Sequence, residues 1–340
     1  MPDLTQPAGW LPLVFMVIMG LAILIYVVLD GYDLGLGILL GFADAAEKDL
    51  MLASIGPFWD ANETWLVLGI GVLLTAFPHA HGIVMGALYL PVAAMLAGLI
   101  LRGVAFDFRV KAQDRHQPWW NRAFCAGSLL AALAQGYMLG LLVVGFERRP
   151  VHMLFAAAIG IGLAAGYCLL GAGWLLIKSE GKLQRRALHW GRQALWLTAG
   201  GVAAVSVATP LVSPAIFAKW FSVPNIFLLA PLPAFTVALF LVADHVLRRL
   251  PARLERGDES GAWIPFAASV GIFVLAFDGL AYSLFPWLVP GRMDIWQAAA
   301  APGSLAFILT GVIVVLPLIL AYTAFSYWVF RGKTTHLDYG

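Results

Sequence analysis

Apolar residues do not alternate with polar ones along this chain; they run together. Nine such stretches stand near residues 10–41, 57–77, 81–106, 123–146, 152–177, 194–212, 225–247, 262–286 and 303–330, with short polar segments between them. Each is close to the roughly 20 residues that a helix needs to cross the hydrocarbon of a bilayer. Lipid offers the backbone no hydrogen bonds, so a spanning segment must be a helix or a strand of a closed barrel. Long apolar runs without a period of two select helices. The pattern predicts an all-α polytopic membrane protein with nine transmembrane helices.

Composition agrees, since 61% of the 340 residues are hydrophobic and 12% are charged. Soluble domains carry about 25% charged residues. The few cations set the orientation. Of 21 Lys and Arg, only Arg148, Arg149, Lys219 and Arg292 fall on one side of the nine spans, and the other 17 fall on the opposite side. Cationic loops stay in the cytoplasm. The N-terminus is therefore expected outside and the C-terminus inside. Asp3 is the one charge before the first apolar run, and no small-residue cleavage pattern follows that run. The expectation is a retained helix rather than a signal peptide. A net charge of +2, dispersed, with no binding motif, gives no sign of nucleic-acid binding. Cys125 and Cys168 lie inside apolar runs with no metal or disulfide spacing.

Ionisable residues in or beside the spans are Asp30, Asp33, Asp60, Glu63, Asp107, Asp244, His245 and Asp278. Such groups are costly in a membrane and point to function. The stretch FWDANETW places Asp60 and Glu63 at i, i+3, on one helix face. Acids in a first turn also complement the helix dipole. That explains two acids, but neither Asn62 between them nor Trp59 and Trp65 beside them. Two partly buried carboxyls side by side suit proton uptake and release. Asp30 and Asp33 repeat the spacing at the inner end of the first span, so both acidic pairs are expected on the cytoplasmic side. In RGVAFDFRVK, Arg102, Asp107 and Arg109 are expected to form a local ion-pair set at the inner end of the third span. Two segments echo others: GYDLGLG at 31–37 and GYCLLGAG at 166–173, and the ends of the third and ninth spans.

The seven histidines, His79, His81, His116, His152, His189, His245 and His336, all avoid the middle of a span. Membrane haems need His or Met ligands that face a bundle interior. No Glu-x-x-His pairs and no phosphate-binding loop occur. The residues read as proton-handling carboxylates without a redox centre on this chain. A carboxylate-based secondary ion transporter is the competing reading, although such folds place their sites at the midplane of broken helices.

LDGYDLGLG (29–37), PFWDANETWL (57–66), LILRGVAFDFRVK (99–111), FPWLVPGRMDIWQAAAAPGSLAF (285–307) and YWVFRGK (327–333) resemble subunit II of the cytochrome bd-type ubiquinol oxidases, in family order. Glu63 and the PFW start resemble the cyanide-insensitive branch. The resemblance implies a single transmembrane domain, 1–340, with two four-helix bundles, 1–146 and 152–286, and a peripheral helix, 303–330. It implies a place in the bacterial inner (cytoplasmic) membrane beside a haem-bearing subunit I. That partner would hold two b-type haems and a d-type, or third b-type, haem. There ubiquinol is oxidised and O2 is reduced to water. A structural ubiquinone and a small single-helix accessory subunit occur among such relatives. Asp33 and Asp60 match the acids assigned to the proton path, Trp59 borders Asp60, and Trp65 matches the mouth of an O2 passage. Glu63 joins the proton path by its spacing alone.

Overall fold

The computed structural model describes residues 2–113 and 115–334. His336 lies outside them. The elements, in chain order, are α1 (Pro7–Leu39), a 3-10 turn (Leu40–Phe42), α2 (Ala45–Ile55), α3 (Trp59–Ala76), α4 (Pro78–Ala87), α5 (Tyr89–Lys111), α6 (Gln117–Val143) and α7 (Pro150–Lys178). They continue with α8 (Gly181–Val212), α9 (Pro214–Phe221), α10 (Asn225–Leu229), α11 (Pro231–Leu254), α12 (Ile264–Leu284), β1 (Trp287–Val289), β2 (Met293–Asp294), α13 (Ile295–Ala298) and α14 (Pro302–Val329). Eight of the helices begin with proline in the first two positions, where its missing N–H costs no hydrogen bond.

Among the described residues, eight helical segments are long and apolar enough to cross a membrane. The remaining predicted span, 57–77, is α3. It has 18 residues, but its first turns spend three positions on Asp60, Asn62 and Glu63.

One boundary differs from expectation. The third span, expected at 81–106, is broken at Leu88, and the spanning helix α5 starts at Tyr89. Pro91 is the reason: it has no N–H to offer the carbonyl of Ala87 four residues back. Arg148 Nη2 takes that carbonyl instead, at 2.9 Å. The later start carries Arg102 from the inner edge into the span itself.

The centre of the protein is the inner half of α1. Every residue from Asp30 to Gly37 is buried. It packs against α3, α6 and α7, and less closely against α12 and α14. The antiparallel neighbours α5–α6, α6–α7, α7–α8 and α11–α12 make the other main seams. The two echoing segments meet at the α1–α7 crossing. A Cβ at Gly35 would overlap the carbonyl of Tyr167, and one at Gly171 would come within 2.5 Å of the Leu36 nitrogen. Small residues let the two backbones touch, the usual device of membrane helices.

On the side assigned to the cytoplasm, α2 is clamped to α8. Asp44, its N-cap, receives Lys182 and Arg186, while Glu47 receives Arg186 and turns back to the Asp44 N–H. At the opposite end, the β1–β2 hairpin and α13 tie α14 down. Trp296 Nε1 donates to the carbonyl of Gly9 at 2.9 Å, and the Ala300 N–H to that of Ala76 at 2.8 Å. Trp220 and Phe221 end α9, and Trp220 is fixed by a 2.7 Å bond to Ser283. Cys125 and Cys168 are free thiols.

Candidate functional site

Three polar groupings sit together around the inner half of α1, in a bundle that is otherwise apolar. By helical rise, Asp33 and Asp30 lie about 9 and 14 Å in from the end of α1. Arg102 lies the same number of residues from the end of α5 as Asp30 from the end of α1. The two therefore share a level.

The first grouping is an ion pair. Arg102 Nη1 donates to Asp30 Oδ1 at 2.5 Å, and neither side chain has any exposed surface. Arg102 Nη2 stands 3.9 Å from Glu63 Oε1, and Glu63 keeps about a quarter of its side chain exposed. The ring of Trp59 faces the guanidinium at 5.4 Å and leans on Phe106. Arg102 keeps its proton at any working pH. It is a fixed positive charge among carboxyls that can exchange theirs.

The second grouping closes on itself. Asn62 Nδ2 donates to Asp33 Oδ2 at 2.8 Å and to Tyr32 Oη at 3.0 Å. Tyr32 and Tyr327 join through their hydroxyls at 2.7 Å, and Tyr327 Oη donates to Asn62 Oδ1 at 3.1 Å. Tyr327 has spent its one O–H on Asn62 Oδ1, so Tyr32 is the donor to Tyr327. The result is a one-way ring through α1, α3 and α14. Trp174 stacks on Tyr32 at 4.4 Å, and Phe58 stacks on Tyr327 at 4.5 Å. Lys178, whose Nζ reaches the carbonyl of Phe330, lies over the rings of Trp174 and Phe58. Beyond it, the Thr334 N–H and Lys333 Nζ hold the carbonyls of Lys178 and Ser179. These bonds fix the end of α14 and so the position of Tyr327.

The third grouping is a short relay: Tyr167 Oη donates to Gln135 Oε1 at 2.6 Å, and Gln135 Nε2 donates to Tyr26 Oη at 2.7 Å. Tyr26 precedes Asp30 by one turn of α1.

Asp30 Oδ2, Asp33 Oδ1, Glu63 Oε1, and Arg102 Nε and Nη2 are buried without a hydrogen-bond partner among the described residues. Buried polar atoms are normally satisfied, so such a cluster is chemically a place for water and mobile protons. Two carboxyls, Asp30 and Glu63, flank one guanidinium, more acid than it can balance.

Other candidates stand apart from this cluster. Asp60 is exposed on α3, and no hydrogen bond or ion pair engages its side chain among the described residues; the residue that meets Asp33 is Asn62. Trp65 is buried against Ala22 and Tyr26 of α1, with Leu316 and Ile319 of α14 beside it. The expected ion-pair set of Arg102, Asp107 and Arg109 does not form. Arg109 binds Asp49 and Asn121, and Asp107 is exposed. Five helical positions turn Asp107 about 140° from Arg102, whereas seven bring Arg109 back to within about 20°. Asp244 pairs with Arg248 one turn on, while His245 and Asp278 are exposed. Of the described histidines only His152 is buried, one turn into α7 and beside Glu147. No group of three or more His, Cys, Asp or Glu among the described residues could hold a metal ion.

Residues 11–330 match the sequence model of the family described as cytochrome bd terminal oxidase subunit II. The chain belongs to this family. It is 24% identical to subunit 2 of the cytochrome bd-I ubiquinol oxidase of Escherichia coli K12, over 96% of this chain and 95% of that one. It is 27% identical to subunit 2 of the cytochrome bd ubiquinol oxidase of Bacillus subtilis 168, over 91% and 93%. Among solved structures, that of the bd oxidase from Geobacillus thermodenitrificans shares the fold, with a TM-score of 0.71 at 17% identity, over 94% of this chain and 98% of that one.

The sequence alone left Asn62, Tyr32, Tyr327, Tyr26, Gln135 and Tyr167 without roles. Asn62 had a signal, being a polar residue between two acids at the start of a span. The tyrosines had none, because Tyr327 reaches Tyr32 across 295 positions.

Proposed function

We propose that this subunit II delivers protons within a bd-type quinol oxidase of the bacterial cytoplasmic membrane, beside a haem-bearing subunit I. In that complex, ubiquinol supplies electrons and O2 is reduced to water, which consumes protons. The observation that carries the reading is the Asp30–Arg102 pair with Glu63 beside it, buried in an apolar bundle. Ionisable groups there are expensive and mark proton and ion paths. A proton taken up at exposed Asp60 moves to Glu63, one turn along α3, and from Glu63 to the carboxyls around Arg102. Asp33, held by Asn62 and the tyrosine ring, forms the second arm. Trp59 shields the guanidinium from lipid.

The same proposal sets the frame around the site. α3 also crosses the bilayer, which makes nine spans, with the N-terminus outside by the loop charges. The spans divide into two four-helix bundles, 1–146 and 152–286, and the peripheral helix near 303–330. The b-type haems and the d-type or third b-type haem belong to subunit I; the exposed or helix-end positions of the described histidines here fit that division. O2 passes beside Trp65. A structural ubiquinone and a single-helix accessory subunit are traits of relatives that this reading leaves room for.

The test is turnover per haem in the assembled complex carrying Asp60→Asn, Asp33→Asn or Glu63→Gln. With normal haem spectra, Glu63→Gln and Asp33→Asn should each slow quinol-driven O2 consumption by about tenfold or more. Native turnover in all three variants would remove the proton path from this subunit. Loss of haem with unchanged turnover per remaining haem would reassign the cluster to assembly.

A further inference from the structure

The relay from Tyr167 to Tyr26 takes no part in the proton path, yet its direction is fixed. Tyr167 Oη donates to Gln135 Oε1, and Gln135 Nε2 donates to Tyr26 Oη. Every link passes a donor toward α1. The Tyr26 hydroxyl accepts from the amide and still has its own O–H to give. The Asp30 carboxyl stands one turn further along the same helix face and interacts with that hydroxyl. The relay is also held firmly. Tyr26 and Tyr167 are buried, Tyr167 stacks on Phe273 at 5.9 Å, and a Cβ at Gly31 would come within 2.7 Å of the Tyr167 ring.

The ion pair beside it has an unusual shape. An arginine and a carboxylate shut away together commonly meet through two parallel hydrogen bonds. Here one forms, from Arg102 Nη1 to Asp30 Oδ1. Asp30 Oδ2 and Arg102 Nε and Nη2 are left over, although all are buried. Nη2 is turned instead toward Glu63, at 3.9 Å. Something must keep Oδ2 from taking it, and the spare O–H of Tyr26 answers the spare oxygen of Asp30.

We propose that Tyr26 is a positioning residue. Backed by Gln135 and Tyr167, it holds Asp30 Oδ2 away from Arg102 and so reserves Arg102 Nη2 for Glu63. Without it, Asp30 turns and takes the guanidinium through both oxygens, and Glu63 loses its cation. The other charged groups around Glu63 are all acids, Asp30 and Asp33 of α1 and Asp60 of its own helix, so no second cation replaces Arg102 there. The consequence for turnover rests on the proton path proposed above; the geometry does not.

The experiment is cryo-EM of the assembled complex carrying Tyr26→Phe, together with turnover per haem measured across pH. In the structure, Asp30 should take Arg102 through both oxygens, and the gap from Nη2 to Glu63 should open beyond its native 3.9 Å. A single bond as before, with Nη2 still turned to Glu63, would overturn the proposal whatever the turnover. In the assay, haem spectra should be unchanged and the pH profile displaced by about one unit. Adding Tyr26→Phe to Glu63→Gln should displace the profile no further, because the group that Tyr26 serves is already gone. An unmoved profile in Tyr26→Phe, where Glu63→Gln does slow turnover, would overturn the positioning role and leave the proton path standing. Native turnover in Glu63→Gln would remove the proton path, and the cryo-EM result would still decide the geometry. If Tyr26→Phe does not assemble, Gln135→Met cuts the relay behind Tyr26 and should give the same two changes at smaller size. A native ion pair and a native profile in Gln135→Met would overturn the proposal.

Discussion

Replacing Arg102 by Met would remove the one cation within 4 Å of Asp30 among the described residues and leave that carboxyl sealed with no counter-charge. The magnitude follows from the geometry. Two unit charges about 4 Å apart attract by about 4 kcal/mol at an effective dielectric near 20. Breaking a buried pair by removing one partner costs about 3–5 kcal/mol. A neutral hydrogen bond between membrane helices averages only about 0.6 kcal/mol, so the two natures of the contact are well separated. The structure also predicts an asymmetry. Asp30→Asn leaves Arg102 with Glu63 at 3.9 Å, so it should be the milder single change. Arg102→Met has no such reserve. The assay is unfolding of the detergent-purified complex, followed by haem absorbance, for the native protein, both single variants and the double variant. The double variant should lose clearly less than the two singles together, with a coupling of about 3 kcal/mol. A coupling below about 1 kcal/mol, or an Asp30→Asn variant weaker than Arg102→Met, would refute the view that a charged pair holds α1 to α5.

Gly35→Ala forces a methyl into the Tyr167 carbonyl, so the yield of assembled complex should fall sharply, whereas Gly71→Ala, with nothing within 4 Å of its new methyl, should leave it unchanged. Tyr327→Phe opens the hydroxyl ring and strands Asn62 Oδ1, at a cost of about 1–3 kcal/mol in the same unfolding assay; Phe325→Tyr on the exposed face should cost nothing measurable. The hydrogen bonds from Lys182 and Arg186 hold Asp44 below its ordinary value of 3.8. A carboxyl whose folded value is depressed stabilises the fold above its unfolded value and loses that contribution as pH falls through the folded one. The α2–α8 clamp should therefore be intact at pH 6, loosen below about pH 4, and loosen with added salt at neutral pH. Amide exchange in α2 reads it out, and Asp44→Asn should weaken the acid-dependent step, since the Glu47–Arg186 pair remains.

The helices were legible because apolar runs of this length have few other uses, but the chemistry was legible only in parts. Asp30, Asp33 and Glu63 could be singled out as charges in a costly place. Their partners could not be placed, since Arg102 is 72 positions from Asp30 and Tyr327 is 265 from Asn62. Arg102 was misplaced for a local and avoidable reason. Reading the third span from residue 81 rather than past Pro91 put its inner end near 106, where an arginine looks like an anchor. The helix that begins at Tyr89 carries the same arginine into the bundle. The angular arithmetic that separates Asp107 from Arg109 was likewise available without coordinates. The echo between 31–37 and 166–173 gains a physical meaning from the crossing of α1 and α7. Each segment offers glycine for close approach and a tyrosine beside it, Tyr32 in the hydroxyl ring and Tyr167 in the relay to Tyr26. The crossing that needs small residues is thus also the place where polar side chains meet. Close backbones leave no room there for lipid, and a buried polar group in a membrane needs that exclusion and a partner near at hand.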